Sequence, residues 1–598
     1  MKNLESTRRR FLATFTGAGL GGTLVPGVVW ARVQDSANGR VTLVMIEEAL
    51  RLSGIEVGEE EKKTLVEGAN RNLTGYEEIR KLHIPPDVSP PFHFNPVVPG
   101  MSVSKTRLPF RLSAAPSVKR PANLEDAAFW PLRNLAELVR TRQVTSLELT
   151  DMYLTRLHRY NPVLNNVVTF LDDYGRAEAK RADAEIAAGK YKGPLHGIPW
   201  GAKDIISVKG HKTTWGSNAF KEQVLDYDAS VVEQLRDAGA VLIAKVTTGE
   251  LAGGDNWFGG QTKSPWDTAQ GSSGSSAGPA SATAAGCIAF GIGTETSGSI
   301  LSPSARCGLP GLRPTFGRIS RYGVMALSWT QDRLGPICRY AEDCAIVMQA
   351  IAKPDGRDMS VSDVPFNWDA RFDIRKLKVG IIQDSFDTIT NASAKANAEK
   401  MLATFKTLGV TQFIPIEVPV FPVNTGGFNA ERTAYFDEWA RAGRLKGART
   451  GNSGASARLI PAPEYLQQQR ARMMMMTELA KATSHVDVYV VGSNNTGVGG
   501  PPGGPRPGTT PGTPPPAPRP DREQSPTQRH FGYANLAGYP AINLPNGFAD
   551  TGGPTNAVIY AQPFRELEIL ALAKAYQDAA GFHLIKPTKL DQPPTTQQ

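Results

Sequence analysis

The stretch "GSSGSSAGPASATAAGCIAFGIGTETSGSILSPSARCGLPGLRPTFGRIS", residues 271–320, decides the fold. Its first eight residues hold four serines and three glycines, too little apolar surface to pack a core. Glycine also costs backbone entropy wherever it is ordered. Such a run is either a loose linker or a place where backbone and hydroxyls are held for chemistry. Gly274-Ser275-Ser276-Ala277-Gly278 matches the G-x-S-x-G turn of one class of serine hydrolase, with Ser276 as nucleophile. That turn joins a hydrophobic strand to a helix and needs an acid and a histidine downstream. His485, His530 and His583 supply the inventory, but "DTAQGSS" (267–273) does not read as a strand. A second pattern, Ser102-x-x-Lys105, lies in a Pro-rich connector without its companion motifs and reads as accidental.

Outward from this stretch the texture alternates strand, helix and glycine turn. "GIPWGAKDII" (197–206) and "AVLIAKV" (240–246) read as short buried strands with a helix, "DASVVEQLRDAG" (228–239), between them. "KLKVGIIQDS" (376–385) and "VDVYVVGS" (486–493) are further strands, each beside a helical segment. This alternation predicts an α/β fold: a mixed, mostly parallel central sheet with helices on both faces. Residues 125–161 read as a helical pair, with Ser146 as N-cap of the second. Four methionines at 473–476 read as helix packing. Residues 40–82 predict two or three amphipathic helices, and "IPPDVSPPFHFNPVVPG" (84–100) ends that run by removing backbone donors. The expected organisation is a leader at 1–31, an N-terminal helical appendage with its connector at 32–120, and a catalytic domain at 121–598. Residues 494–528, rich in Gly, Pro and Thr, cannot bury a core and predict an exposed loop inserted in that domain.

Composition narrows the function classes. A formal charge of +9 raises nucleic-acid binding, but the basic residues are interspersed with acids and form no aromatic-studded stripe, which argues against it. Cys287, Cys307, Cys338 and Cys344 show no CxxC pair and no zinc-like histidine spacing, so no metal is expected and buried free thiols are. A Cys338–Cys344 disulfide is disfavoured if "RYAEDCAIVMQAIA" (339–352) is helical, because residues six apart on a helix point in different directions. At the N-terminus, Arg8-Arg9 precede Phe11-Leu12, an uncharged Gly-rich stretch and a small-residue end at Val29-Trp30-Ala31. This pattern predicts a twin-arginine export signal cleaved after Ala31, no stable membrane span, and a periplasmic or secreted enzyme.

The 271–320 stretch as a whole resembles the signature of the amidase signature family of serine hydrolases, and "GIPWGAKDI" resembles that family's lysine strand. The resemblance covers roughly residues 125–585. It implies the amidase signature fold and amide cleavage without cofactor or metal. Residue by residue, Lys203 matches the catalytic lysine and Ser275 the bridging serine, whose preceding peptide bond is cis in the family. Ser299 in "TETSGSI" matches the nucleophile. The backbone of Thr296, Ser297 and Gly298 matches the oxyanion hole, and Trp257 and Phe258 fall where relatives line the acyl pocket. Lysine serves as a base only when neutral, which burial encourages; adjacent Asp204 must therefore point elsewhere. The sequence departs from the "DTGGSIR" of the amidotransferase subunit at Glu295, Ser297 and Leu301. The arginine that branch uses for substrate is absent at Leu301, and "TETxGSI" looks more like the peptide-amidase branch. The resemblance implies a small-molecule amide substrate. It leaves open an aryl-acylamidase or esterase preference and a non-catalytic, amidotransferase-type subunit.

Overall fold

The computed structural model describes residues 41–53, 55–81, 94–423, 428–448, 455–494, 524–588 and 590. The export signal expected at 1–31 lies outside them, as does nearly all of the Gly/Pro-rich insertion. The described chain divides into two compact units.

The larger unit is built on an eleven-stranded sheet. In chain order its strands are β1 Val167–Phe170, β2 Pro199–Lys203, β3 Val241–Val246, β4 Phe290–Glu295, β5 Gly311–Arg313, β6 Arg333–Ile337, β7 Lys378–Ile381, β8 Gln412–Pro415, β9 Val488–Gly492, β10 Ala541–Phe548 and β11 Pro554–Tyr560. Across the sheet they run β1-β3-β2-β4-β6-β5-β10-β11-β9-β7-β8. Every residue of β2, β3, β4 and β9 is buried. Side chains alternate between faces, so these strands are covered on both sides. Against β3 pack the helices Asp172–Ala187 and Ala277–Ala284, the latter buried along its whole length.

The sheet is mixed, as expected, but its balance is not. Parallel pairing joins β2 to β3, β2 to β4, β7 to β8 and β7 to β9, while the other six pairings are antiparallel. The expectation of a mostly parallel sheet is corrected at the centre. There β10 and β11 form a hairpin across residues 549–553, and β4, β6, β5 and β10 run alternately. The short link between β10 and β11 can only reverse the chain; a parallel return needs a crossover.

Two local expectations are also corrected. The helix Ser146–Leu164 is capped by Thr145, not Ser146: Thr145 and Glu148 form a reciprocal capping box, and Ser146 Oγ donates to the Gly197 carbonyl at 2.9 Å. "DTAQG" does form a strand, Asp267–Gly271, in a two-stranded ladder outside the main sheet. The expectation of free thiols holds: Cys338 lies just before the helix Ala341–Ile351 that contains Cys344, and both cysteines are buried and free. The Pro-rich connector, once past residue 93, belongs to the larger unit: Arg111 bridges to Asp369, and Ser113 N donates to Glu342.

The smaller unit pairs the helices Leu43–Ser53 and Glu59–Arg80 with segments far along the chain, up to residue 471. Its core is Ile46, Leu50 and Leu65, with Leu459 packed against them. Residues 94–120, expected with these helices, group with the larger unit. No helix among the described residues is long and apolar enough to cross a membrane.

Candidate active site

β2 ends at Lys203, whose side chain is fully buried. Its Nζ donates to Ser275 Oγ at 2.8 Å and to Thr294 Oγ1 at 2.7 Å, with the Thr294 carbonyl at 3.4 Å. None of these acceptors is a carboxylate. Burial therefore dominates and lowers the amine to about 7, although Asp332 and Glu295 act at longer range in the opposite direction. Asp204 does point elsewhere. It forms a buried ion pair with Lys245 at 2.8 Å and accepts from the Thr214 amide and hydroxyl. The neighbouring negative charge is thus engaged by a second lysine, and Lys203 keeps only neutral partners.

Ser275 follows a cis peptide bond from Gly274 and is itself buried. The next amide, Ser276 N, donates to the Ser299 carbonyl at 3.1 Å, so the serine-rich turn and the "TETSGSI" turn are joined through their backbones. Ser276 is not poised as a nucleophile. Its buried Oγ donates to the Thr294 carbonyl and accepts from the Thr294 amide, both at 3.1 Å. No histidine is among its hydrogen-bond partners: His530 bonds to Tyr489 at 2.8 Å, His583 lies tilted against Tyr340 at 5.0 Å between ring centres, and His485 is exposed. Ser102 and Lys105 are likewise exposed on the connector. Gly274 is confined: a Cβ there would lie 1.9 Å from the Gly254 carbonyl oxygen.

Ser299 is half-buried, between exposed Ser297 and buried Ile300. The turn carrying it is organised by Glu295, the last residue of β4. Glu295 Oε2 accepts from the amides of Ile300 (2.8 Å) and Leu301 (3.0 Å), the start of the helix Leu301–Cys307. Its Oε1 accepts from Arg313 at 2.9 Å, and both side chains are fully buried. Burial by itself would raise the Glu295 carboxyl; Arg313, Arg333 and the two amides outweigh it and hold the group below its ordinary value. Between these anchors the backbone amides of Thr296, Ser297, Gly298 and Ser299 have no acceptor among the described residues. Gly298 sits at φ +85°, a left-handed conformation that a side chain would strain. Thr296 Oγ1 donates to Asp332 at 2.5 Å, and Asp332 also holds the amides of Leu327 and Ser328.

Trp257 is buried and Phe258 half-buried, their rings edge to face at 4.7 Å. The segment that carries them passes over the serine-rich turn, where Asp255 accepts from the Ser273 amide at 3.0 Å. Sequence reading missed Thr294, Arg313 and Asp332. The first two lie inside the quoted 271–320 stretch, but their roles come from pairings with residues 91 and 18 positions away, which no local pattern records. Among the described residues no group of His, Cys, Asp and Glu could hold a metal ion.

The amidase family model matches residues 148–570. A glutamyl-tRNA(Gln) amidotransferase subunit from Coxiella burnetii (strain Dugway 5J108-111) is 32% identical over 499 residues, covering 76% of this chain and 99% of its own. Among solved structures, native peptide amidase from Stenotrophomonas maltophilia aligns with a TM-score of 0.62 at 26% identity, over 76% of this chain and 98% of that one. A 6-aminohexanoate cyclic dimer hydrolase shares the fold, with a TM-score of 0.64 at 20% identity over 78% of this chain and 100% of that one. With its lysine, its serine-rich turn and its glycine-hinged turn gathered at the ends of β2 and β4, the chain belongs to the amidase signature family.

Proposed function

We propose that this protein is a serine amidohydrolase that cleaves a carboxamide through an acyl-enzyme. The observation that carries this reading is Lys203: a buried amine lowered to about 7 and hydrogen-bonded to Ser275 Oγ. A serine hydroxyl is a poor nucleophile until a neighbouring base takes its proton. Here Ser299 Oγ attacks the amide carbonyl carbon while its proton passes to Ser275, whose own proton moves to Lys203 Nζ. The oxyanion is received by the free amides at 296–299; one such hydrogen bond is typically worth about 2.7–4 kcal/mol. Lys203 returns a proton through the same relay to the leaving nitrogen, the C–N bond breaks, and ammonia or amine departs. Water then attacks the ester carbonyl with the relay again accepting a proton, which releases the carboxylic acid and restores Ser299. Trp257 and Phe258 line the acyl pocket in this reading.

Uncharged Leu301, buried where the amidotransferase pattern has arginine, favours a peptide-amide or other neutral amide over a charged one. An aryl-acylamidase or esterase preference would use the same groups. The 32% identity to an amidotransferase subunit supports a second reading, in which this chain works only with partner subunits. In the hydrolase reading the export pattern at residues 8–31 carries the chain to the periplasm and away from such partners. Fluorophosphonate labelling with peptide mapping decides between the readings: one adduct on Ser299, absent in Ser299→Ala, is expected. A folded chain that takes up no label, or takes it up on Ser276, would sink the proposal.

A further inference from the structure

Phe531 is 39% exposed on the helix Pro526–Leu536, whose neighbouring residues Arg529, His530, Tyr533, Ala534, Asn535 and Leu536 are all buried. Single exposed apolar side chains are common and carry no message by themselves. This one differs in where it sits and in how it is held. Its ring edge lies on the turn that carries Ser299: a Cβ on Gly298 would be 3.1 Å from Phe531 Cζ.

A buried polar chain fixes that position. Asn535 Nδ2 donates to the Phe531 carbonyl at 2.8 Å, and Asn535 Oδ1 accepts from Arg313 at 2.7 Å. Arg313 pairs with Glu295, which in turn holds the Ile300 and Leu301 amides. One carboxylate therefore sets both the turn and, through two residues, the helix bearing the ring. Two further arginines bind the same helix to the 330–331 segment. Arg472 donates to the Leu536 carbonyl at 2.8 Å and to Thr330, and Arg333 donates to the Asn535 carbonyl and to that of Gln331. Burying three guanidinium groups is costly unless each is well satisfied. Here that cost is concentrated on one helix that presents one aromatic ring beside unpaired amides.

We propose that Phe531 is a specificity-determining wall of the site, selecting carboxamides that carry an aromatic or similarly broad apolar group on one side of the scissile C–N bond. The inference rests on the reading of Ser299 as the acylated residue. A preplaced ring offers offset or edge-to-face contact to a substrate ring without ordering a loop on binding.

The test compares paired substrates within one preparation of the full chain, so that any inactive fraction cancels. Phenylacetamide against acetamide reads the acyl side; acetanilide against N-methylacetamide reads the leaving-group side. In Phe531→Ala the phenyl-to-methyl ratio of kcat/KM should fall about tenfold or more on one side, with the change largely in KM, and Phe531→Tyr should recover most of it. Ratios on both sides equal to wild type would overturn the proposal. Fluorophosphonate labelling of Ser299 in the wild-type chain is measured alongside, and its absence would overturn the acyl-enzyme reading itself.

Discussion

Lys203 illustrates how much one residue's surroundings decide. Its partners are two hydroxyls and a carbonyl, and the one carboxylate beside it in sequence is spent on Lys245. In the proposed mechanism the Lys203 amine, lowered from 10.5 to about 7, accepts a proton only when neutral, so activity is expected to fall as pH drops through that value. With a neutral amide substrate, log kcat/KM should rise with slope near one up to about pH 7 and level above it. A rising limb centred above about pH 9 would refute a neutral lysine. Lys203→Ala should cost about 100-fold or more in kcat, the size expected of a positioned base. The residue itself was legible from "GIPWGAKDI", because the motif is local. The hydroxyl of Thr294, 91 positions on, was not, since only the pairing of β2 with β4 brings it there.

At the scale of elements, the turn between β4 and the helix Leu301–Cys307 is the joint on which the site depends. Glu295→Gln removes the charge partner of a fully buried Arg313 and weakens the hold on two helix-start amides. Breaking such a pair typically costs about 3–5 kcal/mol, and the loss should appear as a lower urea midpoint. A change below about 1 kcal/mol would mean that Asn535 and the Tyr539 carbonyl suffice for the guanidinium. The four strands named outright from sequence, β2, β3, β7 and β9, are all members of parallel pairs. They announce themselves as apolar runs flanked by helices. At the centre of the sheet, β5 is only three residues long and carries no such signal. Its antiparallel order is set by neighbours on both sides, not by its own composition.

For the whole molecule, the division into units shows that chain order is a poor guide to folding partners. The apolar spacing of residues 43–80 predicted helices correctly, yet nothing in it pointed to Leu459 as a packing partner. Leu50→Ala should cost about 2–5 kcal/mol locally. Hydrogen exchange should then quicken in both the 43–80 and 455–471 segments, while amides of β2 and β4 keep their protection. Faster exchange confined to 43–80 would show that the two segments are not one cooperative core. The four free thiols offer a different kind of reporter. All are buried, and burial pushes the Cys287 and Cys307 thiols up to about 12. Both barriers, access and ionisation, fall together only when the surrounding structure opens. Alkylation of this chain is therefore a clock: Cys307, at the far end of the helix that starts after Ser299, times the opening of the turn that carries Ser299, and Cys287, just before β4, times the loss of the sheet beneath it.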